Sequence, residues 1–203
     1  MTLEFWVLLS ILALTGWMHK SKMQQQRKLL LGRKLQPFQI EKMMETLTEG
    51  YLRALGENDL ARQDSIWSML ASTEENLNVQ FQHFVLDFAQ LDAASTQLSN
   101  WPLCVPYAEK IAPQSMFDMR KAFSIHAHGI ARAIENQAQY SDKKKAFTIT
   151  AEMLLMQHSC HWFCKSKTVA SARMLARHHT SYPQLLAAVS PETRQAYLKL
   201  VAD

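Results

Sequence analysis

Three hydrophobic patterns follow one another along the chain. Residues 3–18 (LEFWVLLSILALTGWM) are apolar on every side of a helix, a pattern with no polar face to turn toward water. From residue 40 the pattern changes to stripes. Ile40, Met43, Met44, Leu47, Tyr51, Ala54 and Leu55 recur at helical spacing, and so do Leu77, Phe81, Phe84, Val85, Phe88 and Leu91. In the second stripe Gln80, Gln82, His83, Asp87 and Gln90 fall on the opposite side, as expected of a helix with one buried face. The third pattern starts at Asp142. Phe147, Ile149, Ala151, Met153, Leu154, Leu155, Met156, Cys160, Trp162 and Phe163 leave almost no polar side, which predicts a helix at the centre of a bundle.

Punctuation residues divide these patterns. Pro37 suits the first turn of a helix, and Gly56-Glu57-Asn58-Asp59 ends it. A second helix is expected over residues 60–71. Thr73 then opens a third as its N-cap, with Asn76 at the third helical position. Residues 99–112 contain Pro102 and Pro106, and Pro113 follows, so continuous helix is excluded there. A long helix is expected from Pro113 to about Gln139, with Met116, Met119, Phe123, His126, Ile130, Ala133 and Ile134 on its buried stripe. The central helix follows, from Ser141-Asp142 to about Ser166. Further helices are expected over residues 166–180, from Tyr182-Pro183, and from Pro191 to Ala202 behind a Ser190-Pro191-Glu192 cap. No stretch alternates with period two beside a turn dipeptide, so no strand is expected. The fold class is all-α: an N-terminal single transmembrane helix followed by a cytoplasmic multi-helix bundle. The divisions are a transmembrane anchor at 1–18, a basic juxtamembrane segment at 19–36, a helical subdomain at 37–98, a Pro-containing connection at 99–112 and a second helical subdomain at 113–203.

The anchor is short. Sixteen residues make about 24 Å of helix, against ~20 residues for a usual span, so Met1 and Thr2 are expected to contribute. Trp6 and Trp17 bracket the apolar centre, where interfacial aromatics concentrate. A cleaved signal peptide requires a positive start and a small-residue cleavage site. This chain has Glu4 and no early Lys or Arg, and Gly16-Trp17-Met18-His19-Lys20 is a poor site.

Charge sets the orientation. No acid lies between Glu4 and Glu41, whereas Lys20, Lys22, Arg27, Lys28, Arg33 and Lys34 follow the apolar run closely. The positive-inside rule then places the C-terminal bulk in the cytoplasm and the N-terminus outside, as a single-pass protein of the inner (plasma) membrane. These six bases, with Trp6 and Trp17, are the expected contacts with membrane and anionic lipid.

The collar also explains the net charge of +4. Without its six bases and Glu4, residues 35–203 hold 16 bases and 17 acids, so the basic balance is not a nucleic-acid footprint. The domain is nevertheless polarised. Residues 41–95 carry ten acids and three bases, and residues 142–179 carry seven bases and two acids. The halves complement one another or are simply solvated surface, or else they present a basic face to anionic lipid or an acidic partner.

One concentration of metal-ligating side chains exists. Cys160 and Cys164 are one turn apart on one helix face, His126 sits on a buried stripe, and His158 and His161 lie beside the cysteines. Converging Cys and His bind zinc or haem. Yet the spacing is neither a zinc knuckle nor a c-type haem attachment, and buried cysteines are ordinary core residues. His126-Ala127-His128 on a helix predicts one core histidine and one surface histidine. Three cysteines, with Cys104, form no disulfide framework. No Gly-rich phosphate loop or nucleophile elbow occurs, and no catalytic residue is assigned. The expected function is a membrane-anchored helical adaptor or scaffold that binds another protein at the cytoplasmic face as a subunit of a membrane assembly, with homo-oligomerisation left open. The alternative is a metal-, haem- or redox-responsive sensor using Cys160, Cys164 and His126.

Overall fold

In the computed structural model, which describes residues 3–202, everything is built around one helix. α7 (Asp142–Cys164) is touched by α1 (Leu3–Leu35), α2 (Ile40–Gly56), α6 (Met119–Glu135), α8 (Lys167–His178) and α9 (Tyr182–Ala188). Its all-round apolar sequence is the cause. Ile149, Met153, Leu155, Met156, Trp162 and Phe163 are buried toward different neighbours, and Phe147 in its second turn is the exception, 62% exposed. α3 (Leu60–Ala89) pairs with α2 and α6, and α10 (Pro191–Ala202) packs on α6. One hydrophobic core runs through both halves of the chain. Phe81, Phe84, Phe88, Phe123 and Phe163 meet there with ring centroids 4.8–6.4 Å apart, mostly edge to face.

The all-α class holds, with three local corrections. First, there is no break at Thr73. Leu60–Ala89 is a single helix of 30 residues, capped by Asp59, whose side chain accepts from the backbone N–H groups of Ala61 and Arg62. Ser72 bonds back to the Met69 carbonyl within that helix. The buried stripe Leu70, Glu74, Leu77, Phe81 is continuous, and an acid in the second place disguised it. Second, α2 starts at Ile40 and not at Pro37, which stays in the exposed turn after α1. Third, the helix expected from Pro113 begins later. Pro113–Ser115 is a single 3-10 turn, and Met116–Asp118 is a strand, β2.

β2 pairs antiparallel with β1 (Gln97–Ser99), Leu98 opposite Phe117. Asp118 then caps α6 by accepting from the Arg120 N–H. α6 stops at Glu135 because Asn136 adopts a left-handed conformation, φ 49°, a normal helix stop for Asn. Two four-residue helices, α4 (Ala93–Thr96) and α5 (Ala108–Ile111), flank β1 and the connection that follows it. The last three helices begin as expected. Ser166 caps α8, and Ser181 with Gln184 forms a reciprocal capping box on α9.

α1 is one helix of 33 residues in two environments. From His19 onward it lies on the bundle, with Leu31 4% exposed. Before that it stands clear of it. Among the described residues no helix is long and apolar enough to cross a membrane.

Candidate functional site

The unpacked half of α1 is the most unusual surface on the molecule. Phe5, Trp6, Leu8, Leu9, Ile11, Leu12, Leu14, Trp17 and Met18 are all exposed, Leu8 by 68% and Leu12 by 74%. Together they form a contiguous apolar surface on the order of several hundred Å², unlike the singly scattered apolar residues of an ordinary surface. Thr15 keeps its hydroxyl out of the way by bonding to the Ile11 and Leu12 carbonyls within the helix. The change of environment falls where the sequence changes. His19 is the first ring to meet the bundle, stacked on Tyr107 with centroids 4.5 Å apart.

The basic collar divides into two groups. Lys22, Lys28 and Arg33 are exposed and Lys20 is half-buried. Arg27 and Lys34 are turned to the protein. The Arg27 guanidinium donates to the Gln97 carbonyl at 2.7 Å and lies over the Phe163 ring. Burial draws its pKa down, and the nearby Cys104, Glu109 and Cys164 oppose that. Lys34 pairs with Asp87 at 2.8 Å. The sequence treated these two as lipid contacts, and no signal in it separates them from the other four. Trp6 and Trp17 are both exposed.

Among the described residues one ion pair joins the polarised halves. Lys145, of the seven bases between residues 142 and 179, pairs with Glu74 at 2.5 Å, and Glu74 also accepts from the Tyr51 hydroxyl at 2.7 Å. Among the described residues the other six bases form no ion pair with the acidic half. Lys165 and Arg173, with Lys28 of α1, rim a cleft of about 300 Å³ between α1, α2 and α7. Its floor is apolar: Leu31, Leu35, Ile40, Met44 and Met156. Glu41 is its one acid.

Cys160, Cys164 and His161 line this cleft, but His126 and His158 do not join them. His126 lies on the other side of α7, where its Nε2 meets Ser159 Oγ at 2.9 Å and Ser159 Oγ meets the Tyr197 hydroxyl at 2.9 Å. His158 is stacked on Tyr182 and bonded to Ser171. His161 borders the cleft with its Nδ1 toward Arg173. Among the described residues, no three His, Cys, Asp or Glu side chains converge to hold a metal. The Cys160 thiol bonds to Met156 Sδ, and burial pushes its pKa up, away from the reactive thiolate. Cys164 is shifted the same way by burial. His128 is a surface residue bonded to the Ser124 carbonyl, and His126 is fully buried, as the helical reading of that pair expects.

A buried polar seam was not legible beforehand. Glu152 is fully buried, accepts from Ser190 N and Oγ at 3.0 and 2.6 Å, and leaves Oε2 without a partner. Among the described residues His126 Nδ1 and His158 Nδ1 are also unpartnered. Burial lowers the pKa of His126 to about 3 and that of His158 to about 4, so both are neutral at pH 7. The serine–histidine pair resembles a nucleophile and its base. Among the described residues no carboxylate meets His126 Nδ1, and both His126 and Ser159 are buried. Comparison of the chain with protein-family models, with curated proteins and with solved structures returns no match.

Proposed function

We propose that the chain is a membrane-tethered helical adaptor: the unpacked half of α1 lies in the bilayer, and the bundle is held at the cytoplasmic face to bind another protein. The observation that supports this reading is the abrupt split of α1. Every large apolar side chain from Phe5 to Met18 is exposed, and packing begins at His19. Residues 5–18 make about 21 Å of helix, short of a ~30 Å hydrocarbon core. A short anchor is accommodated by local thinning of the bilayer and by flanking residues that reach for the interface. Lys20, Lys22, Lys28 and Arg33 follow on the bundle side, which favours a single-pass orientation with the bundle inside.

The cleft between α1, α2 and α7 is the surface we assign to the partner. Its apolar floor and its excess of cations (Lys28, Lys165 and Arg173 against Glu41) suit an apolar segment flanked by acids. The test is crosslinking of the full chain in intact membranes. A specific second protein should be joined at this cleft and lost with Lys28→Glu plus Arg173→Glu, both exposed positions. A crosslinking pattern unchanged by the double substitution would remove the cleft from the reading, and the absence of any protein crosslink would remove the adaptor.

A further inference from the structure

The connection between β1 and the 3-10 turn at Pro113 carries a second cluster of exposed apolar side chains. Leu103 is 59% exposed, Tyr107 47% and Ile111 65%. They sit on a fastened frame and not on a free loop. The Pro102 carbonyl accepts from Thr168 N at 3.1 Å and from Thr168 Oγ1 at 2.9 Å, and Asn100 N donates to the Ser115 carbonyl at 2.8 Å. Tyr107 holds a left-handed conformation, φ 59°, that a bulky side chain seldom adopts. In it the ring stacks on His19 of α1.

That stack fixes the height of the connection along α1. His19 is two residues past Trp17, which is about 3 Å along the helix axis. A headgroup layer adds roughly 5–7 Å to each side of the hydrocarbon core. With Trp17 at the boundary, Tyr107 falls inside that layer. Its surroundings fit such a place. Tyr is a residue of membrane interfaces, and the Lys110 ammonium stands 5.5 Å from the Tyr107 ring centroid, where an apolar stem can lie low and its charge reach water. Backbone in the headgroup layer still meets water, so an irregular segment is tolerated there.

We propose that Leu103, Tyr107 and Ile111 enter the lipid interface beside the emerging helix, a second contact that fixes the tilt and rotation of the bundle on the membrane. This rests on the tether reading, since without lipid around residues 5–18 nothing brings the connection to a bilayer. The experiment uses the full chain in vesicles of phosphatidylcholine and phosphatidylglycerol that carry a photoreactive lipid, with labelled residues mapped by mass spectrometry. The expected result is label on residues 5–18 and on residues 103–111, severalfold above that on Leu60 and Met69, which are apolar residues elsewhere and more exposed than those of the connection. Label on residues 5–18 alone overturns the second contact and leaves the tether standing. No label on residues 5–18 overturns both. A second variant guards against chance contact. Leu103→Glu with Ile111→Glu should abolish label on the connection and retain it on residues 5–18, and undiminished label on residues 103–111 contradicts insertion of these side chains.

Discussion

Arg27, a cation placed by its sequence position in a lipid-facing collar, instead donates its guanidinium to the Gln97 carbonyl 2.7 Å away and covers the Phe163 ring. It fastens the packed half of α1 to β1 and α7. A charge-assisted bond and a partly desolvated cation–π contact together contribute about 2 kcal/mol. Arg27→Ala should therefore lower stability by about that amount in urea unfolding. Lys22→Gln and Arg33→Gln, at exposed positions, should leave unfolding unchanged and each weaken binding to anionic vesicles by about 1 kcal/mol at low salt.

Gly129 makes room for the Glu152 carboxyl. A methyl group added to Gly129 would collide with Glu152 Oε2 and stand 2.5 Å from Thr193 Oγ1 and 2.9 Å from Glu152 Cδ. Ala is favoured over Gly in a helix by about 1 kcal/mol. Overpacking here, with loss of the Ser190 bonds, outweighs that gain, and Gly129→Ala should destabilise by about 2 kcal/mol. Combined with Glu152→Ala, the loss should fall short of the sum of the two single effects by about 1 kcal/mol or more in a double-mutant cycle.

Acid should destabilise the fold through its histidines. His126 and His158 have folded pKa values of about 3 and about 4, below their ordinary 6.5. The unfolded chain thus binds more protons, and the stability these groups contribute is full above 6.5 and is lost as pH falls toward 4 and then 3. Glu152 acts in the opposite sense, its pKa raised by burial, while His161 and His178, also lowered by burial, act with the two buried histidines. Unfolding near pH 5 should take up at least about one proton net. His158→Gln should lessen the slope of stability against pH between 4 and 6, and an unchanged slope would refute the assignment.

Glu74 joins three helices. It accepts from Tyr51 of α2 and Lys145 of α7, and its side chain is 5% exposed against 19% for Lys145. Removing one member of a buried pair leaves an uncompensated charge, at a cost of about 3 kcal/mol. Glu74→Ala should lose that much in chemical denaturation. Glu74→Gln retains an acceptor for Tyr51 and should lose less.

Much of the fold was legible wherever one residue pattern had one cause. The unbroken apolar sequence of α7 marked the centre of the bundle, and Ser166, Tyr182-Pro183 and Pro191 marked the starts of the last three helices. Elsewhere tertiary partners decided. Glu74 interrupted an apolar stripe because its partners lie on other helices, so α3 looked like two helices. β1 and β2 are three residues each, joined by no tight turn, and leave no period to find. The candidate metal set failed to assemble because Ser159, between His158 and Cys160, faces His126 and turns the cysteines to the opposite side of α7. Residues 5–18 carry no amphipathic pattern that would offer the bundle a face to hold, and their large apolar side chains are exposed.

Vesicle flotation of the full chain beside Leu8→Arg plus Leu12→Arg tests the tether most directly. Both positions are exposed, so the fold is kept, while each substitution costs about 3 kcal/mol in a bilayer centre. A tethered bundle predicts that the unaltered chain floats with lipid in high salt and that the double variant stays at the bottom of the gradient. An unaltered chain left behind with its variant would contradict it.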